Sequence, residues 1–206
     1  MDPLPPDMAN HWRHRPGQPP GRLRYHWHML FHGQPEVRGL AATARGKLAG
    51  LPGLDMVPEE WLHLTTFVVG FADEVPQASV DAMVALARQA LADVAPVPVT
   101  LGRVAYYPEA VVLAVEPAGA LRPVLDAVAA ATRSAGIDGR VATEPWMPHV
   151  SVAYSHGTGP AAPVVAALGQ RLPTTEIAIG SVSLVAQTQV GHSWQWQPVA
   201  EVHLGG

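Results

Sequence analysis

From residue 23 onward, apolar and polar positions repeat along the chain with two periods, about 2 and about 3.6 residues. Residues 23–32 alternate as a strand. Val37, Leu40, Ala41, Ala44 and Leu48 then fall at i, i+3, i+4, i+7 and i+11, which is one face of a helix. LPGLDMVP reads as a loop, and HLTTFVVG (63–70) as a buried, β-branched strand. Val80, Met83, Val84, Ala87 and Leu91 mark a second helix, ended by Pro96 and Pro98, and 99–106 is a strand. The same order follows again. AVVLAVE (110–116) is a strand, and Leu121, Val124, Leu125 and Val128 mark a helix. DGRVATEPWMP is a loop, HVSVAY (149–154) a strand, and Val164, Val165 and Leu168 a short helix starting near Thr158 or Pro160. Strands over 176–186 and 194–204 complete the chain.

Laid side by side, residues 23–106 and 110–186 read as a diverged internal duplication, closed by the strand at 194–204. Two copies are too few for a solenoid, so the expected architecture is two packed α+β lobes. Residues 1–22 hold six prolines and no apolar period. Such a stretch buries too little surface to offset its ordering entropy, and it is expected to be a disordered arm preceding a single domain over 23–206. His11, Arg13, His14 and Arg15 make the arm locally basic, which is read as a solvated tail rather than a nickel or zinc site. Gly157-Thr158-Gly159 lacks a Walker lysine and reads as a turn.

Composition narrows the chemistry. With no cysteine among 206 residues, disulfides, thiol nucleophiles and thiolate-held metals are excluded. Charged residues make up only 15% and the net charge is −4, which argues against tracking of long nucleic acid. No apolar run reaches the roughly 20 residues of a membrane span, and no signal peptide is evident, so a cytoplasmic, monomeric protein is expected. The unusual asset is ten histidines.

Two of those histidines open equivalent strands of the two repeats: His63-Leu64-Thr65 and His149-Val150-Ser151, 86 residues apart. In a strand, residues i and i+2 share a face, so each strand projects an imidazole and a hydroxyl in one direction. A pseudo-twofold would bring two imidazoles and two hydroxyls around one cleft. That quartet suits transfer at a phosphodiester. One neutral imidazole accepts a proton from the attacking oxygen, one imidazolium protonates the leaving oxygen, and the hydroxyls donate to the non-bridging oxygens. Neither metal nor cofactor is demanded.

The segments EEWLHLTTFVVGF and EPWMPHVSVAYS resemble the two signature segments of the 2H phosphoesterase superfamily, which includes the bacterial 2′-5′ RNA ligase-like proteins. The likeness spans about residues 23–204. It implies an α+β, bilobal duplicated fold with two antiparallel sheets flanking a central cleft and helices outside. It also implies metal-free action on 2′,3′-cyclic phosphates, related cyclic phosphodiesters or 2′-5′ linkages. By motif match, the catalytic roles carry over to His63, His149, Thr65 and Ser151. Where RNA-processing relatives often place an arginine after the second motif, this chain has Tyr154. That departure, with the acidic net charge, favours a small nucleotide or an RNA-terminal cyclic phosphate over structured RNA.

His28, Trp61, Trp146 and Tyr154 are the candidate substrate-binding residues, the tryptophans as platforms for a base. His28, Trp61 and Trp146 also have a structural reading, as packing for the strand or loop that carries them. His26, His28 and His32 share strand parity and could meet a metal beside His63, but no acidic partner or H-E-x-x-H spacing accompanies them. Arg24, Arg103 and Arg140 are possible phosphate anchors, though scattered arginines usually lie in solvent. Ligation of RNA ends, binding of nucleotides without turnover, and metal-dependent hydrolysis stay open as alternatives to cyclic phosphodiester hydrolysis.

Overall fold

The computed structural model describes residues 4–13, 19, 21–143 and 145–205. Its elements, in chain order, are β1 (Asp7–Met8), β2 (Arg24–Leu30), α1 (Pro35–Leu48), β3 (Leu54–Met56), β4 (His63–Phe71), α2 (Gln77–Leu91), β5 (Val97–Tyr107), β6 (Ala110–Ala114), α3 (Arg122–Ser134), β7 (Arg140–Val141), β8 (His149–Ser155), β9 (Gly159–Pro160), α4 (Ala162–Leu168), β10 (Arg171–Ile179), β11 (Ser181–Val190) and β12 (Ser193–His203). The apolar rows expected of the first two helices, Val37 to Leu48 and Val80 to Leu91, are the buried faces of α1 and α2.

Two five-stranded antiparallel sheets hold the molecule together, ordered β12-β11-β2-β4-β7 and β10-β5-β6-β8-β3. The orders correspond position by position: β2 with β6, β4 with β8, β11 with β5, β12 with β10, and β7 with β3. Strands cross between the halves. The strand ending the first pass, β5, pairs with β6, while β11 pairs with β2. The short edge strands cross likewise, β3 onto β8 and β7 onto β4. Helices α2 and α3 pack together behind the first sheet, and α1 lies against β8 and β10 of the second. The α+β class implied by the resemblance is therefore the class of the structure.

One buried polar chain ties β2 to α3. The fully buried indole of Trp27 on β2 donates to Thr132 Oγ1 of α3 at 3.1 Å, and Thr132 in turn donates to the Val128 carbonyl at 2.7 Å. The approach of β7 to β4 depends on Gly139. Its φ is +55°, and an added Cβ there would lie 2.3 Å from the Phe67 ring.

Several expectations require correction. The loop expected at LPGLDMVP contains β3, too short for its period to be visible. The strand expected over 176–186 is two strands broken at Gly180, whose carbonyl instead accepts the Leu204 N–H at 2.8 Å. The short helix begins at Ala162, because Gly159–Pro160 is drawn into pairing with β1 rather than forming only a turn.

The expected disordered arm differs most. Among its described residues, Met8 is buried in the core and β1 pairs with β9. The His11 N–H donates to the Ser155 carbonyl at 2.8 Å, and Trp12 Nε1 donates to Asp55 Oδ2, also at 2.8 Å. Arg22 is anchored on Asp73 and Glu74. Met8 and Trp12 supply apolar anchors that composition alone discounts. The expectations for His14 and Arg15 lie outside the described residues. No helix among the described residues is long and apolar enough to cross a membrane.

Candidate active site

Strands β4 and β8 lie against each other between the two sheets. On β4, Leu64 and Thr66 are buried in the core while His63 and Thr65 face a cleft of about 480 Å³; on β8, His149 and Ser151 face the same cleft. The pleat gives both pairs one direction, as the i, i+2 spacing requires.

Immediately beyond each hydroxyl, the pleat is interrupted in the same way. Thr65 pairs with His28 but Phe67 pairs with Trp27, so Thr66 is an extra residue on β4. Ser151 pairs with Val112 but Ala153 pairs with Val111, so Val152 is extra on β8. Thr66 and Val152 are 86 residues apart, the same separation as the histidines. A bulge shifts strand parity by one. Val68 and Tyr154, three residues beyond Thr65 and Ser151, consequently turn back into the cleft. Strict alternation places these two side chains on the wrong face.

The imidazoles are fixed in matching ways. His63 Nδ1–H donates to the Trp61 carbonyl at 2.9 Å and His149 Nδ1–H to the Met147 carbonyl at 2.7 Å. A carbonyl only accepts, so Nδ1 carries the proton and Nε2 is left as the basic nitrogen. Burial pushes His63 down to about 4, opposed by its bond to the Trp61 carbonyl and assisted by the charge of His149. Burial also lowers His149, opposed by the Met147 carbonyl.

Behind His63 stand two further imidazoles. The rings of His28 and His63 are 4.5 Å apart and those of His26 and His28 are 5.2 Å apart. Burial holds His26 at about 3 and His28 well below its ordinary value. Such a stack stays uncharged, and its low polarity disfavours a cation on His63. Trp196 closes the group, with its ring 4.8 Å from those of both His63 and Trp61.

The candidate residues thus separate. His63, Thr65, His149, Ser151 and Tyr154 line one cleft. His28 is fully buried behind His63, Trp61 packs against Trp196, and Trp146 donates its indole N–H to the Thr65 carbonyl at 3.3 Å; none of the three lines the cleft. Their placement supports the packing reading rather than contact with substrate. Of the even-parity histidines, His26 lines the cleft and His32 lies exposed beyond β2, so the three form no single row.

No arginine or lysine lines the cleft among the described residues. Arg24 lies over the Phe71 ring, Arg103 pairs with Glu116, and Arg140 sits on β7. Among the cleft residues that sequence reasoning missed are Glu109, Gln187 and, most informatively, His11. His11 forms part of the cleft wall, stacks on Tyr154 with ring centres 4.3 Å apart, and accepts the Trp194 indole N–H at Nε2 over 2.9 Å. Its signal was the neighbouring Trp12, an aromatic with no reason to sit in a solvated tail.

The arrangement can bind one phosphate-sized centre between two imidazoles and two hydroxyls. Comparison with known proteins concerns the fold and the family. The chain resembles TT0787 of Thermus thermophilus, with a TM-score of 0.68 and 21% identity over 89% of this chain and 98% of that one. Escherichia coli LigT complexed with 3′-AMP aligns with a TM-score of 0.64 and 17% identity over 89% and 98% of the two chains. The MHV ns2 PDE domain aligns at 0.56 and 9% identity over 87% and 100%. These likenesses concern the fold. No curated protein matches by sequence. The model of the 2′-5′ RNA ligase superfamily matches residues 34–191, a span containing both histidine motifs. The chain belongs to the 2′-5′ RNA ligase superfamily and is a phosphoesterase of the 2H type.

Proposed function

We propose that the chain hydrolyses small cyclic phosphodiesters, with a nucleoside 2′,3′-cyclic phosphate as the representative substrate, and that no metal takes part in the chemical step. The observation that carries this reading is the matched tautomer of the histidine pair. His63 and His149 each give Nδ1–H to a carbonyl and keep Nε2 for proton transfer.

In the hydrolytic direction, His63 is the base, because burial and the imidazoles behind it favour its neutral form. Its Nε2 takes a proton from water as the water oxygen bonds to phosphorus. The bond from phosphorus to one ribose oxygen breaks, and that oxygen takes the proton held on His149 Nε2. Water is consumed, a phosphomonoester forms, and proton exchange with solvent resets the pair. Substrate itself makes the imidazolium accessible, since an anion within about 4–6 Å favours the charged form. Thr65 and Ser151 donate to the non-bridging oxygens as charge builds on them.

The size of the cleft, about 480 Å³, suits a mononucleotide. Related LigT structures contain 3′-AMP, NADP+ and ATP, which supports the nucleotide class. The test is a panel of 2′,3′-cyclic, 3′,5′-cyclic and 2′-5′-linked nucleotides, assayed with and without EDTA. Turnover of the 2′,3′-cyclic compounds that persists in EDTA is expected. Turnover confined to metal-supplemented enzyme, or to linear substrates, would contradict the proposal.

A further inference from the structure

Away from the catalytic pair, Asp55, His156 and His192 converge from separate parts of the chain. Asp55 lies on β3 at the edge of the second sheet, His156 directly follows β8, and His192 is in the turn between β11 and β12 of the first sheet. His156 Nδ1 stands 3.0 Å from Asp55 Oδ1, and His192 Nδ1 stands 3.0 Å from Asp55 Oδ2. One ligand atom from each residue lies within 4.8 Å of the others.

We propose that these three residues bind a zinc-class divalent cation that clamps the two sheets together at the cleft rim. Two imidazoles and a carboxylate form a set typical of three-ligand zinc sites, with water in the fourth position. Simple ion pairing accounts poorly for the geometry. His156 Nδ1 is shielded from solvent, yet it makes no hydrogen bond despite the 3.0 Å separation from Asp55 Oδ1. A bare Nδ1 lone pair directed at a cation satisfies that nitrogen. Ligand bonds of about 2.0–2.2 Å put tetrahedral ligands about 3.3 Å apart, so the widest separation need close by only about 1.5 Å.

The surroundings support the carboxylate as a ligand. Trp12 Nε1 donates to Asp55 Oδ2 at 2.8 Å, and the Trp12 ring stacks on His192 with centres 5.4 Å apart. Second-layer contacts of this kind orient metal ligands. A small cavity of about 10 Å³, lined by Asp55, His192, Tyr154 and His63, has room for about one water beside the site. The hairpin clamped through His192 carries Trp194 of the cleft wall and Trp196, which packs on His63. The cation therefore steadies the hairpin behind the cleft wall, takes no part in proton transfer, and its removal leaves turnover of the cyclic substrate in place.

The test uses the full chain without a histidine tag, stripped with chelator and titrated with zinc, with magnesium as the comparison ion. The expected result is one saturable zinc site and a Tm raised by on the order of 5–10 °C at a hundredfold excess over Kd. Magnesium should have no comparable effect. His192→Ala removes an exposed side chain and keeps the fold, and Asp55→Asn is nearly isosteric; each should weaken zinc at least about tenfold and abolish the Tm shift. The double variant His63→Ala/His149→Ala should bind zinc as the parent does. Zinc binding lost in that double variant but kept in His192→Ala would overturn the assignment, as would the absence of a saturable site.

Discussion

His63 and His149, on different sheets and 86 residues apart, donate Nδ1–H to the carbonyl two positions before them, that of Trp61 for one and Met147 for the other. The loop entering each strand thus selects the tautomer of the imidazole that opens it. In the proposed mechanism this fixes the pair for proton transfer before substrate arrives, which is where most of the advantage of a fixed acid and base lies.

Acid should destabilise the fold. Unfolded histidines titrate near 6.5, whereas burial holds His63 at about 4 and His26 at about 3. Between those values the unfolded chain binds more protons than the native one, so stability rises with pH across the window. It is complete above about 6.5 and is lost as pH falls through about 4. His63 alone accounts for on the order of 3 kcal/mol of that loss. Urea unfolding at about pH 7.5 and about pH 5 measures it; equal midpoints would show that these histidines are not held neutral.

Anion binding should gain from the same acidification. With no lysine or arginine lining the cleft among the described residues, attraction for an anion depends on imidazolium. Sulfate, whose charge is constant between about pH 6 and 8, is expected to bind more tightly by up to about tenfold for each pH unit lowered. Competition against substrate turnover reads the effect. A pH-independent inhibition constant would point to a fixed cation instead.

Removing a hydroxyl from the quartet should slow chemistry more than it weakens binding. Thr65→Val and Ser151→Ala are each expected to lower kcat by about 10²-fold, the scale of one lost donor to developing oxyanion charge. Tyr154→Phe, altering a wall residue, should act chiefly on KM. Steady-state kinetics of the three variants separates these roles, and a kcat untouched in both hydroxyl variants would remove Thr65 and Ser151 from the mechanism.

Deleting residues 1–13 should lower Tm and raise KM together. The deletion takes away buried Met8, worth about 1.5–3 kcal/mol, and His11 of the cleft wall. A truncated chain with parental Tm and KM would restore the segment to the status of a solvated tail.

The sequence carried the two histidine–hydroxyl pairs of the cleft because each rests on a local regularity. His63 with Thr65 and His149 with Ser151 obey the two-residue pleat, and duplication displays the pattern twice. Helices α1 and α2 were legible for the same reason, through their apolar rows. What stayed hidden depends on pairing between distant segments. The bulges at Thr66 and Val152 become visible only against their partner strands, so the parity that brings Tyr154 into the cleft has no sequence signature. Strand β3 exists because β8 has a free edge, and the exchange of β5 and β11 between sheets is topology that periodicity cannot carry. His11 was concealed by the prolines around it, whose effect on local order is outweighed by the burial of Met8 and the anchoring of Trp12 on Asp55.

The central claim is that His63 and His149 act as one acid–base unit, and single-turnover hydrolysis of a nucleoside 2′,3′-cyclic phosphate tests it most directly. His63→Ala, His149→Ala and the double variant should each lose about 10³-fold or more in rate, the double losing little beyond either single, while their circular dichroism and sulfate-free Tm remain those of a folded protein. Either single variant turning over within about tenfold of the parent would contradict the account.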